Sequence, residues 1–440
     1  MTNEFLLSTE QEREAIGQEL SALIARLYPI CRSKTGNGVR ETMRIIDEFA
    51  GLEMHEVPSG SQAYDWTVPK EWNVTDAWVS DSRGRRVIDF QQSNLHLLGY
   101  SIPVHRKMSL AELRPHLHSL PDRPDWIPFC NTFHREDWGF ALRHADLEKL
   151  EEGEYEVCVD STLKDGHLTY GEAYLPGATP DEILISAHSC HPSLCNDNLS
   201  GISIAALLAR RLHAVPHRYS YRFLFLPGTI GSIIWLSRNE DKVSRIKHGI
   251  VLACLGDPGN FTYAQSRRGN APVDRAFAHL LRHSAKPHRV KPFEPEGYDQ
   301  RQYCSPGFNL PVGSLMRTPY GAYPEYHTSA DDLSFVKKDA LADSYAMLLS
   351  GLFVLENDRK YLNLSPKCEP HLGRRGLYGQ AAELGLWWLL NLSDGENSLL
   401  DIAERSGKSF EVLKRGADAL QQVGLLRPLD GGDGGTKGAA

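Results

Sequence analysis

The sixteen residues SAHSCHPSLCNDNLSG, Ser186 to Gly201, hold two His, two Cys, one Asp and two Asn. Such a density of metal-capable groups suits a catalytic metal, which needs His and carboxylate ligands with one position left open. His188 ends the apolar run EILISAH, so a strand would fix its backbone while the following loop leaves its ring accessible. Asp197 sits in CNDNLSG ahead of an apolar helix, where one oxygen is free to bind metal and the other to accept from the loop. Asp257 follows a strand-like run in LACLGDPG, and His327 lies in PEYHTSADD. The four form a His, Asp, Asp, His set drawn from distant points. Taken singly, each is more commonly an N-cap or turn residue, and Asp197 and Asp257 both sit in turn-like surroundings. His191, before Pro192, is expected as a loop residue or a partner of the ligands, and Cys190 and Cys195 as small buried residues.

The elements that must position these residues follow from periodicity. Residues 10–50 carry apolar groups at three- and four-residue spacing and predict two helices broken at SKTGNG. From 55 to 135 the texture turns to Trp, Tyr, Val, Pro and Gly, a β-rich insert with a hairpin turning at Ser82–Gly84. From 136 to 365 strand-like runs (YEVCVDSTL, HLTYGEAYL, EILISAH, YRFLFLP, GIVLACLG) alternate with helical ones. That alternation predicts an α/β domain, composed of 1–54 and 136–365, with a largely parallel sheet whose ligands gather beyond the strand ends. Residues 370–430 read as three short helices with turns at SDGEN and SGKS and an apolar tip, a winged helix-turn-helix; 431–440 is low-complexity and expected to be disordered.

With 48 Lys and Arg against 56 Asp and Glu the net charge is −8, so there is no overall basic field to draw the chain onto nucleic acid. The candidate second helix of the winged segment carries only Lys414 and Arg415, which makes nucleic acid an unfavoured partner and a dimerising or packing role for this segment the better expectation. The eight Cys contain no CxxC pair and suit reduced thiols. No signal peptide or membrane-spanning run is visible, and the expected location is the cytoplasm.

The order of motifs resembles the M28-type zinc aminopeptidases. More closely, nearly the whole chain resembles bacterial aminopeptidase-like proteins with a β-rich insert and a C-terminal winged helix, often encoded near polysaccharide or natural-product biosynthesis genes. The stretches carrying it include PICRSKTGNGVRETM, SNLHLLGYSIPVH, SCHPSLCNDNLSG, TIGSIIWLSRN, CLGDPGNFTY and YDQRQYCSPGFNLPVGSLMRTPYGAYPEYHTSADDLSF. The resemblance implies a zinc-aminopeptidase-like mixed sheet flanked by helices. It further implies zinc at His188, Asp197 and His327, with Asp257 added to them, and establishes no substrate; the leading expectation is a zinc-dependent amide or peptide hydrolase acting on a small aminoacyl or peptidyl substrate.

Two departures stand out. FLPGTIGS has Gly228 where the family carries the Glu aligned with the general base, and Gly cannot take a proton. Thr229 replaces a second ligand carboxylate, which argues for one zinc rather than two, and Gln300 in YDQRQYC stands where a Glu is expected. Glu325 and Asp299 are the candidate replacement bases, although either could instead orient His327 or pair with Arg301 or Arg317. Tyr303, Arg317 and Tyr326 are candidates for binding substrate carboxylate or amide groups. The competing expectation is a non-catalytic binding or scaffold protein; a ligand-sensing transcriptional regulator is a third.

Overall fold

In the computed structural model residues 6, 7 and 9–429 are described, and the tail expected at 431–440 lies outside them. Eight strands form the main sheet. The first four are β1 (Glu53–Pro58), β2 (His167–Leu175), β3 (Glu182–His188) and β4 (Ser220–Leu226). The others are β5 (Ile246–Leu252), β6 (Phe261–Ala264), β7 (His288–Lys291) and β8 (Val312–Met316). Their spatial order is β1-β2-β4-β3-β5-β8-β6-β7. The central β4-β3-β5-β8 strands are mutually parallel, while β1, β2 and β6 pair antiparallel. Every residue of β3 and β4 is buried, which is why both read as near-continuous apolar runs rather than alternating ones.

One polar network survives inside this sheet. Arg222 on β4 reaches Glu182 on β3 through Nε at 2.7 Å and Nη2 at 2.8 Å, and also pairs with Glu172 on β2. Glu172 in turn accepts from Trp235 Nε1 at 2.8 Å. Helix Ile230–Arg238, which carries Trp235, packs on Leu184, Leu224 and Leu226.

The β-rich insert has its own four-stranded antiparallel sheet, in the order Arg86–Asp89, Glu71–Ser80, Glu154–Lys164, Val104–Ser109. The expected hairpin is there, with the chain turning between Ser80 and Arg86. The insert's limits differ from those expected. YEVCVDSTL belongs to it, because Glu154–Lys164 pairs with Glu71–Ser80 and Val104–Ser109. Burial alternates along that strand, the mark of a sheet packed on one face, unlike the fully buried β3 and β4. Glu53–Pro58, at the expected start of the insert, instead edges the main sheet.

The chain divides into two compact units, and everything above lies in Leu7–Ala271 with Arg289–Ala346, apart from His288 at the start of β7. The second contains Pro272–His288 and the residues from Met347 onward. Within it, strand Lys360–Asn363 lies between Asp394–Ser398 and Leu426–Leu429, with helices Leu386–Leu392, Leu399–Ser406 and Phe410–Gln422. The winged module therefore starts before residue 370, and SDGEN contributes to a strand rather than only a turn. Among the described residues no helix is long and apolar enough to cross a membrane, and none of the eight cysteines forms a disulfide.

Candidate metal centre

His188, Leu226, Leu252 and Met316 end four adjacent parallel strands, and the loops beyond them build the site. Asp197 is fully buried there. Its Oδ1 lies 2.8 Å from His188 Nε2 and its Oδ2 lies 3.1 Å from His327 Nε2. Burial opposes ionisation of Asp197, but the surrounding imidazoles of His191, His188 and His327 hold its carboxyl well below the usual range. Burial likewise works against a charged His188, and Asp197 overcomes it to raise the His188 pKa. The ring of His191 centres 5.1 Å from both other imidazoles, and burial pushes its pKa down to about 3, leaving it neutral and able to ligate. Ligand atoms of His188, His191 and Asp197 all lie within 4.8 Å of one another. Imidazole nitrogens with one carboxylate are a donor set suited to zinc.

Each residue of the NDN triplet has a separate task. Asn196 Oδ1 accepts from the backbone N–H groups of Gly256 and Asp257, tying the loop after β5 to this one. Asn198 Nδ2 donates to Leu252 O at 2.9 Å and lies 3.3 Å from His188 Nδ1, so it steadies the ring from behind. Asp331 then accepts from the backbone N–H groups of Asn196 at 2.6 Å and Asp197 at 3.0 Å. Burial pushes the Asp331 pKa up to about 8. Four non-glycine residues around the site hold positive φ: Ser193 (43°), Thr229 (69°), Cys254 (51°) and His327 (55°). Strain of this kind gathers where surrounding contacts over-determine the backbone.

The insert supports the last of these residues. Phe129 N donates to His327 O at 2.8 Å, Ser329 N to Ile127 O at 2.8 Å, and Ile127 N to Ser329 Oγ at 2.9 Å. This short clasp pins the His327 loop to residues 127–129, and Tyr326 stacks on the His327 ring with centroids 3.9 Å apart.

The other candidates separate clearly. Asp257 is not drawn into the His–Asp–His group: its carboxylate accepts from Asn196 Nδ2, Gly259 N, Thr318 N and Thr318 Oγ1. Tyr303 is fully buried and bonded to Ser186 Oγ, out of reach of a substrate. Arg317 spends its donors on Gly259 O and Asp343 and lies 4.6 Å over the Phe261 ring. Tyr326, bonded to Tyr298 through their hydroxyls, acts on His327. Glu325 lines a separate depression with Asp125, Trp126 and Asp332. Gln300 donates to three backbone carbonyls, Ala264, Gln265 and Val312, which a carboxylate could not do. Asp299 is fully buried, and its Oδ1 accepts from Thr229 N and Ser232 Oγ. Its Oδ2 has no hydrogen-bond partner among the described residues. A Cβ at Gly228 would lie 3.3 Å from Cys190 Sγ and 3.4 Å from His188 Cβ, so that position lies against the His188 side chain.

Beside the imidazoles lies a cavity of about 160 Å³ reached by His191, Thr229, Tyr298 and His327. Sequence reasoning did not find its far wall, nor the direct involvement of His191, nor the cradle from Asp331. The HxxH spacing after a strand and the acidic pair beside His327 were the available signals.

The profile of a domain of unknown function, DUF4910, matches residues 21–358, and a winged helix-turn-helix profile matches 359–428. A protein of Clostridium acetobutylicum, named as a candidate polysaccharide biosynthesis protein with an aminopeptidase-like domain, is 51% identical over 95% of this chain and 98% of its own length. The crystal structure of a candidate peptidase from the same organism, also 51% identical, superimposes with a TM-score of 0.93, covering 95% of this chain and 98% of its own. A zinc aminopeptidase from Bacillus subtilis shares the fold at 12% identity, with a TM-score of 0.55 over 77% of this chain and 95% of that one. The fold is thus that of the M28-type zinc aminopeptidases, and the chain itself belongs to the DUF4910 family, here followed by a winged helix.

Proposed function

We propose that this protein is a zinc-dependent hydrolase of an amide or peptide bond in a small aminoacyl or peptidyl substrate. The observation that carries the reading is Asp197, buried and held between His188 and His327 with His191 alongside, at the mouth of a cavity. These residues would hold one zinc, which supplies Lewis acidity toward the amide carbonyl and toward water. Asp331 and Asn198 keep the ligands oriented. Asp299 is the better-placed proton acceptor of the two candidates. It lies beside the Gly228–Thr229 peptide with an unpartnered oxygen, and burial raises its pKa toward the range a base needs. Glu325 belongs to a different depression. The name of the Clostridium relative supports a substrate from polysaccharide biosynthesis.

Gly228 favours a second reading, an aminopeptidase-like binding protein that keeps the metal without hydrolysis. Elemental analysis of wild type and His188→Ala tests the first step. We expect about one zinc per wild-type chain and loss of it in the variant. Wild type that stays metal-free after zinc is supplied and washed away refutes the hydrolase reading. Zinc retention with no turnover across a panel of aminoacyl amides and dipeptides selects the binding protein.

A further inference from the structure

Besides the imidazoles, the cavity is lined by the segment after helix Glu10–Leu27 and by the insert. The insert supplies aromatic surface from Trp72, Tyr100, Phe129 and Phe133. The post-helix segment supplies two cations, Arg32 and Lys34. Lys34 Nζ stands 3.3 Å above the Phe133 ring. No carboxylate is paired with it among the described residues, and burial lowers its pKa. Arg32 is 1% exposed. Its Nη groups donate to Leu27 O, its Nε has no partner, and no carboxylate pairs with it among the described residues.

Partly desolvated cations without counter-ions are costly. A structural role accounts for part of Arg32, since it closes the carbonyl end of a helix. It does not account for Lys34, which binds nothing except an aromatic face. No carboxylate lines the cavity among the described residues, and its Lys and Arg cations both lie on this one edge.

We infer that this cavity is the specificity pocket of the site and takes a substrate bearing a compact oxyanion, a carboxylate or a phosphoryl group, held by Lys34 with Arg32 beside it. The word substrate rests on the hydrolase reading above; the anion site does not. The aromatic walls would pack the carbon frame between that anion and the bond at the metal-ligating residues. The insert is then what sets selectivity, because it contributes Trp72, Tyr100, Phe129 and Phe133 to the lining.

The test is calorimetric titration of full-length protein with three probes: glutarate, inorganic phosphate and the neutral isostere glutaramide. At least one anion should bind about tenfold or more tightly than glutaramide. That preference should vanish in Lys34→Met and in Lys34→Gln, each checked for an unchanged thermal midpoint. Glutarate alone binding assigns a carboxylate; phosphate alone assigns a phosphoryl group. The preference should persist in His188→Ala, which separates the pocket from the metal: if zinc is absent, the hydrolase reading falls and the anion site stands. Equal binding of all three probes overturns the inference, as does anion binding unchanged in folded Lys34→Met and Lys34→Gln proteins.

Discussion

Asp197 has to serve two imidazoles at once, and in doing so sets the proton balance of the whole site. In the metal-free protein His188 titrates above its usual 6.5, because Asp197 outweighs burial. Its contribution to stability is complete below about 6.5 and is lost as pH rises through the higher folded value. Asp197 titrates below its usual 3.8, so its contribution is present above about 3.8 and is lost as pH falls through the folded value. The pair thus supports the metal-free fold best from about pH 4 to 6.5. Zinc must displace the His188 proton, so its affinity should climb across the range where that pair weakens. Competition with a chromophoric chelator at pH 6.0 and pH 8.0 checks this; a flat affinity would show that His188 is not a ligand. At this scale the sequence was legible only in part. His188, Asp197 and His327 could be marked because strand ends and turn motifs point to them. Lys34, Asp331 and the task of His191 could not, since each depends on which distant loop comes to lie beside it. Asp257 was not legible for a related reason: a turn Asp after a strand looks the same whether its oxygens serve a metal or accept from Gly259 in its own loop and from Asn196 and Thr318 in two others.

Among the elements, the buried Glu172–Arg222–Glu182 network is where the sheet is most exposed to damage. Arg222 is 5% exposed at its side chain and Glu182 not at all, so removing the cation alone strands two carboxylates in the interior. Arg222→Met should cost about 3–5 kcal/mol, read as a lower urea midpoint. Combining it with Glu172→Gln and Glu182→Gln should recover a good part of that loss. The four central strands were legible because burial on both faces leaves continuous apolar runs. Glu154–Lys164 was not assigned to the insert because an isolated strand carries no label for the sheet it joins, although its alternating burial differs from that of β3 and β4. Lys360–Asn363 escaped the winged module in the same way: it is four residues long and becomes a strand only between its two partners.

For the molecule as a whole, two compact units with the proposed ligands His188, His191, Asp197 and His327 all in one of them predict unequal responses to metal. Zinc at 100 times its dissociation constant adds about 2.7 kcal/mol to the unit that binds it. Chelation should therefore lower the unfolding transition that carries the insert's tryptophan signal and leave the transition of Trp387 and Trp388 where it was. Thermal unfolding followed by tryptophan fluorescence with and without chelator, on wild type and on variants lacking one tryptophan group, reads this out. Equal shifts in both transitions would show that the units do not unfold separately.

The clasp between residues 127–129 and the His327 loop bears on the order of events as the chain is synthesised. Residue 127 emerges 202 positions before its partner Ser329. The insert can form its own sheet early, but its 127–129 edge must wait, with unpaired donors and acceptors, for the last ligand loop to arrive. A nascent chain that has made only His188, His191 and Asp197 would present a partial nest of ligands with nothing to close it. Zinc taken up at that stage would be easily lost or exchanged. On the zinc reading, stable metal binding would then be a late acquisition, sealed by contact between the insert and a loop made long after it. Shortening residues 127–129 would damage metal retention first and the insert's own sheet least.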